Sequence, residues 1–167
     1  RWEDAAPVMQ AYKAGRTPCA RALGVALHHA VDDVIAIARD RGDIGGELIA
    51  LVPIPSSRRS YRRRGFHPVE LMARRGGMPV VRVLRHTRRV ADQRGLGRRD
   101  REANMAGAFA MRGVLRPGCP VVLIDDVVTT GATLDAAVAA LRAGGARVLG
   151  AASAGSADRD DTPANDR

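Results

Sequence analysis

At 167 residues the chain is long enough for one domain with a real core and too short for two comfortable ones. Hydrophobic residues at 46% exclude disorder for most of it, and 3% aromatics with an Ala, Val and Leu bias favour an aliphatic α/β core over an all-β sandwich. The net charge of +9 is local: from Arg58 to Arg101 fifteen Arg face only Glu70, Asp92 and Asp100, giving +12, while the other twelve basic and fifteen acidic residues give −3. So concentrated a field attracts phosphates.

In chain order, the spacing of Leu23, Leu27, Ala30, Val34 and Ile37 predicts a helix from about Pro18 to Ala38 with one apolar stripe. Its adjacent His28 and His29 point different ways and read as surface or packing residues. After turn residues Gly42 to Gly46, the apolar run Leu48 to Ile54 predicts a strand buried on both faces, ended by Pro53 and Pro55. Ser56 to Gly65 reads as an arginine-rich loop. Pro68 to Arg75 reads as a short helix opened by Pro and stopped by Gly76 and Gly77, and Val80 to Leu84 as a second strand.

From Arg85 to Asn104 the chain is polar and without period, a length that marks a functional or disordered segment. Ala108 to Met111 reads as a short strand, Pro117-Gly118 as a turn and Val121 to Ile124 as a buried strand. Thr133 to Ala143 predicts a helix with Leu134, Ala137, Val138 and Leu141 on one face, terminated by Gly144-Gly145. Val148 to Ala152 is the strand after it. Residues 1–152 are expected to form the domain and 153–167 a disordered tail.

No apolar run has membrane-spanning length and no basic-then-apolar leader opens the chain, so the expectation is a cytoplasmic protein with no membrane insertion. Cys19 and Cys119 form neither a CxxC pair nor a disulfide framework; Cys119 reads as a small core hydrophobe. The start at Arg1 rather than Met leaves room for an upstream segment.

The run VVLIDDVVTTGATLDAAVAAL from Val121 joins an apolar strand, two carboxylates, a Thr/Gly turn and a helix. A helix start has unpaired N–H groups and partial positive charge, so it holds an anion. Gly131 lets the backbone curl round a phosphate, and Thr129, Thr130 and Thr133 add hydroxyl donors. Asp125 and Asp126 would be repelled by the phosphate; they suit a neutral diol beside it, such as the 2- and 3-hydroxyls of a ribose. One capped helix explains one Asp and one Thr, but not two consecutive acids before such a turn. Neither GxxxxGK[ST] nor GxGxxG is present.

This run is similar to the signature of type I phosphoribosyltransferases. More narrowly, the chain resembles the ComF family of competence-associated proteins. That resemblance rests on this run, VPIPSSRRSYRRRGF from Val52 to Phe66, DQRGLGRRDREANMAGAF from Asp92 to Phe109 and AYK at Ala11 to Lys13, and spans about Ala11 to Ala152. It implies a doubly wound, mostly parallel α/β sheet of the type I phosphoribosyltransferase kind, with ligand at the carboxyl ends of the strands. It implies that Asp125, Asp126, Val128, Thr129, Thr130, Gly131, Ala132 and Thr133 contact the sugar phosphate. Pro55 with Ser56, Ser57, Arg58 and Arg59 would grip the diphosphate, with Arg62 to Arg64 close by. Gln93, Arg101 and Asn104 would lie on a catalytic segment that closes over the substrate. The family's amino-terminal zinc-binding part has no counterpart in these residues, consistent with the start at Arg1 or with real loss, and His67 stands where the family more often has Asn.

The implied activity is transfer of phosphoribosyl from 5-phosphoribosyl 1-diphosphate to an acceptor the sequence does not identify. Mg²⁺ would be held mainly by the substrate, with no direct protein ligand. Two other readings stay open: a non-catalytic nucleotide or phosphoribosyl-diphosphate sensor, and an accessory to competence that binds single-stranded DNA or the competence machinery, with Tyr61 and Phe66 as a thin stacking platform. The oligomeric state is open, a homo-oligomer included.

Overall fold

A computed structural model describes residues 2–87, 107–128 and 131–155. Helix α1 (Trp2–Lys13) is followed by a 3-10 turn (Thr17–Cys19), the long helix α2 (Ala20–Asp40) and strand β1 (Ala50–Pro53). Two short helices, α3 (Arg58–Arg64) and α4 (Pro68–Arg75), lead to β2 (Leu84–His86) and β3 (Phe109–Met111). The chain continues through β4 (Pro120–Asp125), α5 (Ala132–Ala143) and β5 (Arg147–Ser153).

The main sheet is parallel, in the order β1-β4-β5. Val121, Val122, Leu123 and Ile124 of the central strand are all at 0% exposure, which explains their unbroken apolar run. Side chains alternate between faces along a strand. Val122 and Ile124 join Leu23, Leu27, Val31, Met72 and Tyr12, so α1, α2 and α4 cover that side. Val121 and Leu123 join Ala136, Ala137 and Leu141 of α5 on the other. The α/β class read from the sequence is therefore the class observed, with helices against both faces of a parallel sheet.

Several elements differ from their sequence reading. The segment 58–64, read as loop, is helical: Ser57 caps it by accepting Ser60 N–H at 3.2 Å, and Gly65 closes it at φ 76°. Strand β1 starts two residues later than its apolar run, leaving Leu48 83% exposed. The run Val80 to Leu84 is not a strand of the main sheet. It makes one bond to β1, from Val81 N–H to Leu51 O at 2.8 Å, and becomes regular only at Leu84, where β2 pairs antiparallel with β3. On α2 the buried stripe runs through Ala20, Leu23, Gly24, Leu27, Val31 and Ala38, and Ile37 is 49% exposed. Among the described residues no helix is long and apolar enough to cross a membrane.

Two glycines set how closely α2 and α4 pack. A Cβ on Gly24 would stand 2.5 Å from Met72 O and 2.8 Å from Gly76 N, so only hydrogen fits. Beside this crossing, the exposed His28 donates Nδ1–H to Gly76 O at 3.0 Å, within the surface-or-packing reading of the sequence. Cys119 is half-buried against the α5-side core.

Candidate functional site

Parallel pairing brings two chain exits to one edge. Pro53 stands opposite Ile124, and Ile54 N–H donates to Ile124 O at 3.0 Å, so β1 and β4 leave the sheet side by side. The β1 exit carries Ser56, Ser57, Arg58 and Arg59, and the β4 exit carries Asp125 and Asp126. These groups, 66 or more residues apart in the chain, thus leave adjacent strands in the same direction.

The two acids are in different states. Asp125, the last residue of β4, accepts its neighbour's N–H (Asp126) on Oδ1 at 2.8 Å. Burial, and then the charge of Asp126, push its carboxyl up to about 7, against the lowering effects of that hydrogen bond and of Lys13. Asp126 places Oδ2 2.8 Å from Lys13 Nζ, with both side chains partly exposed (17% and 31%). Sequence reasoning had both carboxylates open to a diol; instead Lys13 already holds one oxygen of Asp126.

Lys13 is aimed by its neighbour. The Tyr12 ring is fully buried, tilted against Phe66 at 5.5 Å, and its hydroxyl donates to Pro68 O at 2.8 Å. Burial and the nearby Asp126 charge push that hydroxyl's pKa far up, so it stays a donor. Tyr12 thereby pins the end of α1 to the start of α4, and Lys13 reaches the β4 exit. The sequence offered AYK only as part of a resemblance; 113 residues separate Lys13 from Asp126, and no local pattern links them.

Helix α5 is preceded by the N-cap Gly131, which is in the left-handed region (φ 80°, ψ −18°) and has no side chain to cap the first turn. A Cβ there would touch nothing within 4 Å, so the conformation, and not crowding, requires glycine. The first-turn amides, those of Ala132 and Thr133 among them, have no acceptor within the helix. Asp135 N–H returns to Gly131 O at 2.9 Å. Before the turn, Val128 is half-buried and donates its N–H to Gly155 O at 3.3 Å, tying the β4 exit to the chain after β5. Thr129 and Thr130 lie outside the described residues.

At the β1 exit, Ser57 spends its hydroxyl on capping α3, while Arg58 and Arg59 start that helix with exposed side chains. Ser56 is half-buried. Gln93, Arg101 and Asn104 lie outside the described residues, but the ends of their segment are placed. Thr87 bonds Gly107 and Ala108, and His86 Nε2–H donates to Pro55 O at 2.8 Å, with its ring 4.9 Å from Phe109. The segment therefore departs and returns beside the β1 exit. Sequence reasoning gave His86 no part in this, and nothing in its context marked it out.

No family model matches the chain, and no curated protein does.

Among the described residues no three His, Cys, Asp or Glu side chains form a metal cluster. The carboxylates at the β4 exit are hydrogen-bond acceptors of the kind that hold a hydrated Mg²⁺ through its waters, leaving its coordination shell to those waters and a ligand's own oxygens. The two rings of the thin stacking platform are engaged within the fold: Tyr61 stacks on His67 at 4.6 Å, though 44% exposed, and Phe66 lies against Tyr12.

Proposed function

We propose that the chain binds 5-phosphoribosyl 1-diphosphate with Mg²⁺ and transfers its phosphoribosyl group to an acceptor, releasing diphosphate. One observation carries this reading: at one edge of adjacent parallel strands, a carboxylate pair precedes a helix start capped by a left-handed glycine, and a Ser/Arg segment follows the neighbouring strand. In a doubly wound sheet that edge is where ligands sit.

The first-turn amides of α5, at Ala132 and Thr133, would hold the 5-phosphate, and the left-handed Gly131 shapes the approach. Asp125 would take one ribose hydroxyl. Asp126 would take the other on Oδ1, with Oδ2 remaining on Lys13. Arg58 and Arg59 would face the diphosphate, and Gln93, Arg101 and Asn104 would close over it, excluding water from the reacting sugar. Asp125 and Asp126 would hold Mg²⁺ through its waters; the ion supplies charge neutralisation to the diphosphate. The bond from C1 to the diphosphate oxygen breaks with its electron pair leaving on diphosphate. The acceptor's lone pair forms the new bond to C1, and the acceptor proton passes to solvent.

The test is diphosphate release, with Mg²⁺, in the presence of candidate purine, pyrimidine and amine acceptors. The reading predicts release with at least one of them, abolished by Asp125→Asn with Asp126→Asn. A wild-type protein that binds no diphosphate sugar with Mg²⁺ would end it.

A further inference from the structure

A second feature of the molecule is cationic and is lined by no residue of the α5 turn. The end of α1 and the end of α3 enclose a cleft of about 440 Å³ lined by Lys13, Ala14, Gly15, Arg63 and Arg64. We propose that this cleft is a binding site for a phosphate monoester carrying a small organic group. The proposal does not depend on phosphoribosyl transfer.

Charge sets the class of ligand. Lys13 is matched by Asp126, and neither Arg63 nor Arg64 has a carboxylate partner among the described residues. Two guanidiniums are thus in surplus, and a phosphate monoester carries close to −2 at neutral pH. Hydrogen bonding points the same way. Arg63 is exposed and Arg64 half-buried, and both line the cleft. A phosphate oxygen accepts charge-assisted bonds from terminal guanidinium nitrogens, and two adjacent arginines can both supply them. Volume sets the rest: the cleft falls among small-molecule pockets, which run from roughly 300 to 1,000 Å³, and is far larger than a bare phosphate needs. The carbonyls at the end of α3 disfavour an anion, but Gly65 N–H takes the Tyr61 carbonyl, and Arg62, Arg63 and Arg64 offset the remainder.

Lys13 belongs to both places. It lines the cleft and holds Asp126, so an anion in the cleft competes for the ammonium that otherwise sits on that carboxylate.

The experiment is calorimetric titration of phenyl phosphate, a monoester with no ribose, into the full chain. Wild type is expected to bind saturably, and Arg63→Gln with Arg64→Gln to weaken binding at least about tenfold. Two controls should stay within about twofold of wild type: Arg74→Gln with Arg75→Gln, which removes the same charge from exposed positions on α4, and Gly131→Asp, which sets a negative charge at the α5 turn. If the double arginine variant does not fold, Arg63→Gln, whose side chain is exposed, decides alone. No binding by wild type, unchanged binding by the arginine variants, or loss in Gly131→Asp would each overturn the proposal; the last would move the anion to the α5 turn.

Discussion

Asp125 and Asp126 are chemically the same side chain in adjacent positions, yet the fold gives them opposite tasks. Asp126 is paired with Lys13, whereas Asp125 is half-buried beside it, and desolvation with that neighbouring carboxylate pushes its carboxyl up to about 7. An unfolded Asp titrates near 3.9, so between these values the folded chain binds more protons than the unfolded one. The associated stability is complete below about pH 4 and lost as pH rises through about 7, on the order of 2 to 4 kcal/mol at the limit. Wild type should therefore lose more melting temperature between about pH 5 and pH 8 than Asp125→Asn, which has nothing to titrate there. Parallel curves for the two proteins would refute the desolvation of that carboxyl. At Gly131 the backbone is left-handed in open space, so Gly131→Ala should cost about 1 to 2 kcal/mol and Gly131→Asn less, because Asn tolerates that region. Equal denaturant midpoints for Ala and Asn would contradict this.

Among the elements, what the sequence made legible depended on how much each one buries. Strand β4 and helix α5 bury a face and announced themselves by apolar pattern, as did most of α2. Helix α3 buries no residue, so periodicity had nothing to register, although Ser57 and Gly65 are ordinary start and stop signals. The ending of α2's stripe at Ala38 in place of Ile37, and the antiparallel pairing of β2, are decided by tertiary neighbours. The same holds at the site: the acid pair and the Gly131 turn could be read directly, while Lys13 and the His86 tether join residues far apart in sequence. At the α2–α4 crossing, a methyl on Gly24 would meet the Met72 carbonyl and the Gly76 amide, backbone atoms that cannot rotate away. Gly24→Ala should destabilise the fold by about 1 to 3 kcal/mol, read from chemical denaturation. A neutral result would show that the helices can separate without loss. Tyr12→Phe removes the donor to Pro68 O and should cost about 1 to 2 kcal/mol. It should also loosen α1, and with it the hold of Lys13 on Asp126.

For the molecule as a whole, a three-stranded parallel sheet covered on both faces brings distant sequence to one edge, where the acids and helix start leave one strand and an arginine-bearing segment leaves its neighbour. The local excess of arginine found in the sequence supplies the β1 exit and α3, and so flanks that edge with positive charge. Ligand binding there should weaken with salt, since charge attraction of this kind is screened within about 10 Å at 0.1 M ionic strength. The central claim is tested most directly by titrating 5-phosphoribosyl 1-diphosphate with Mg²⁺ into wild type and into the Asp125→Asn, Asp126→Asn double variant. The account predicts saturable binding by wild type and at least about tenfold weaker binding by the double variant, which keeps the shape but loses the charged acceptors. Undiminished affinity in that variant, or no binding by wild type, would contradict it.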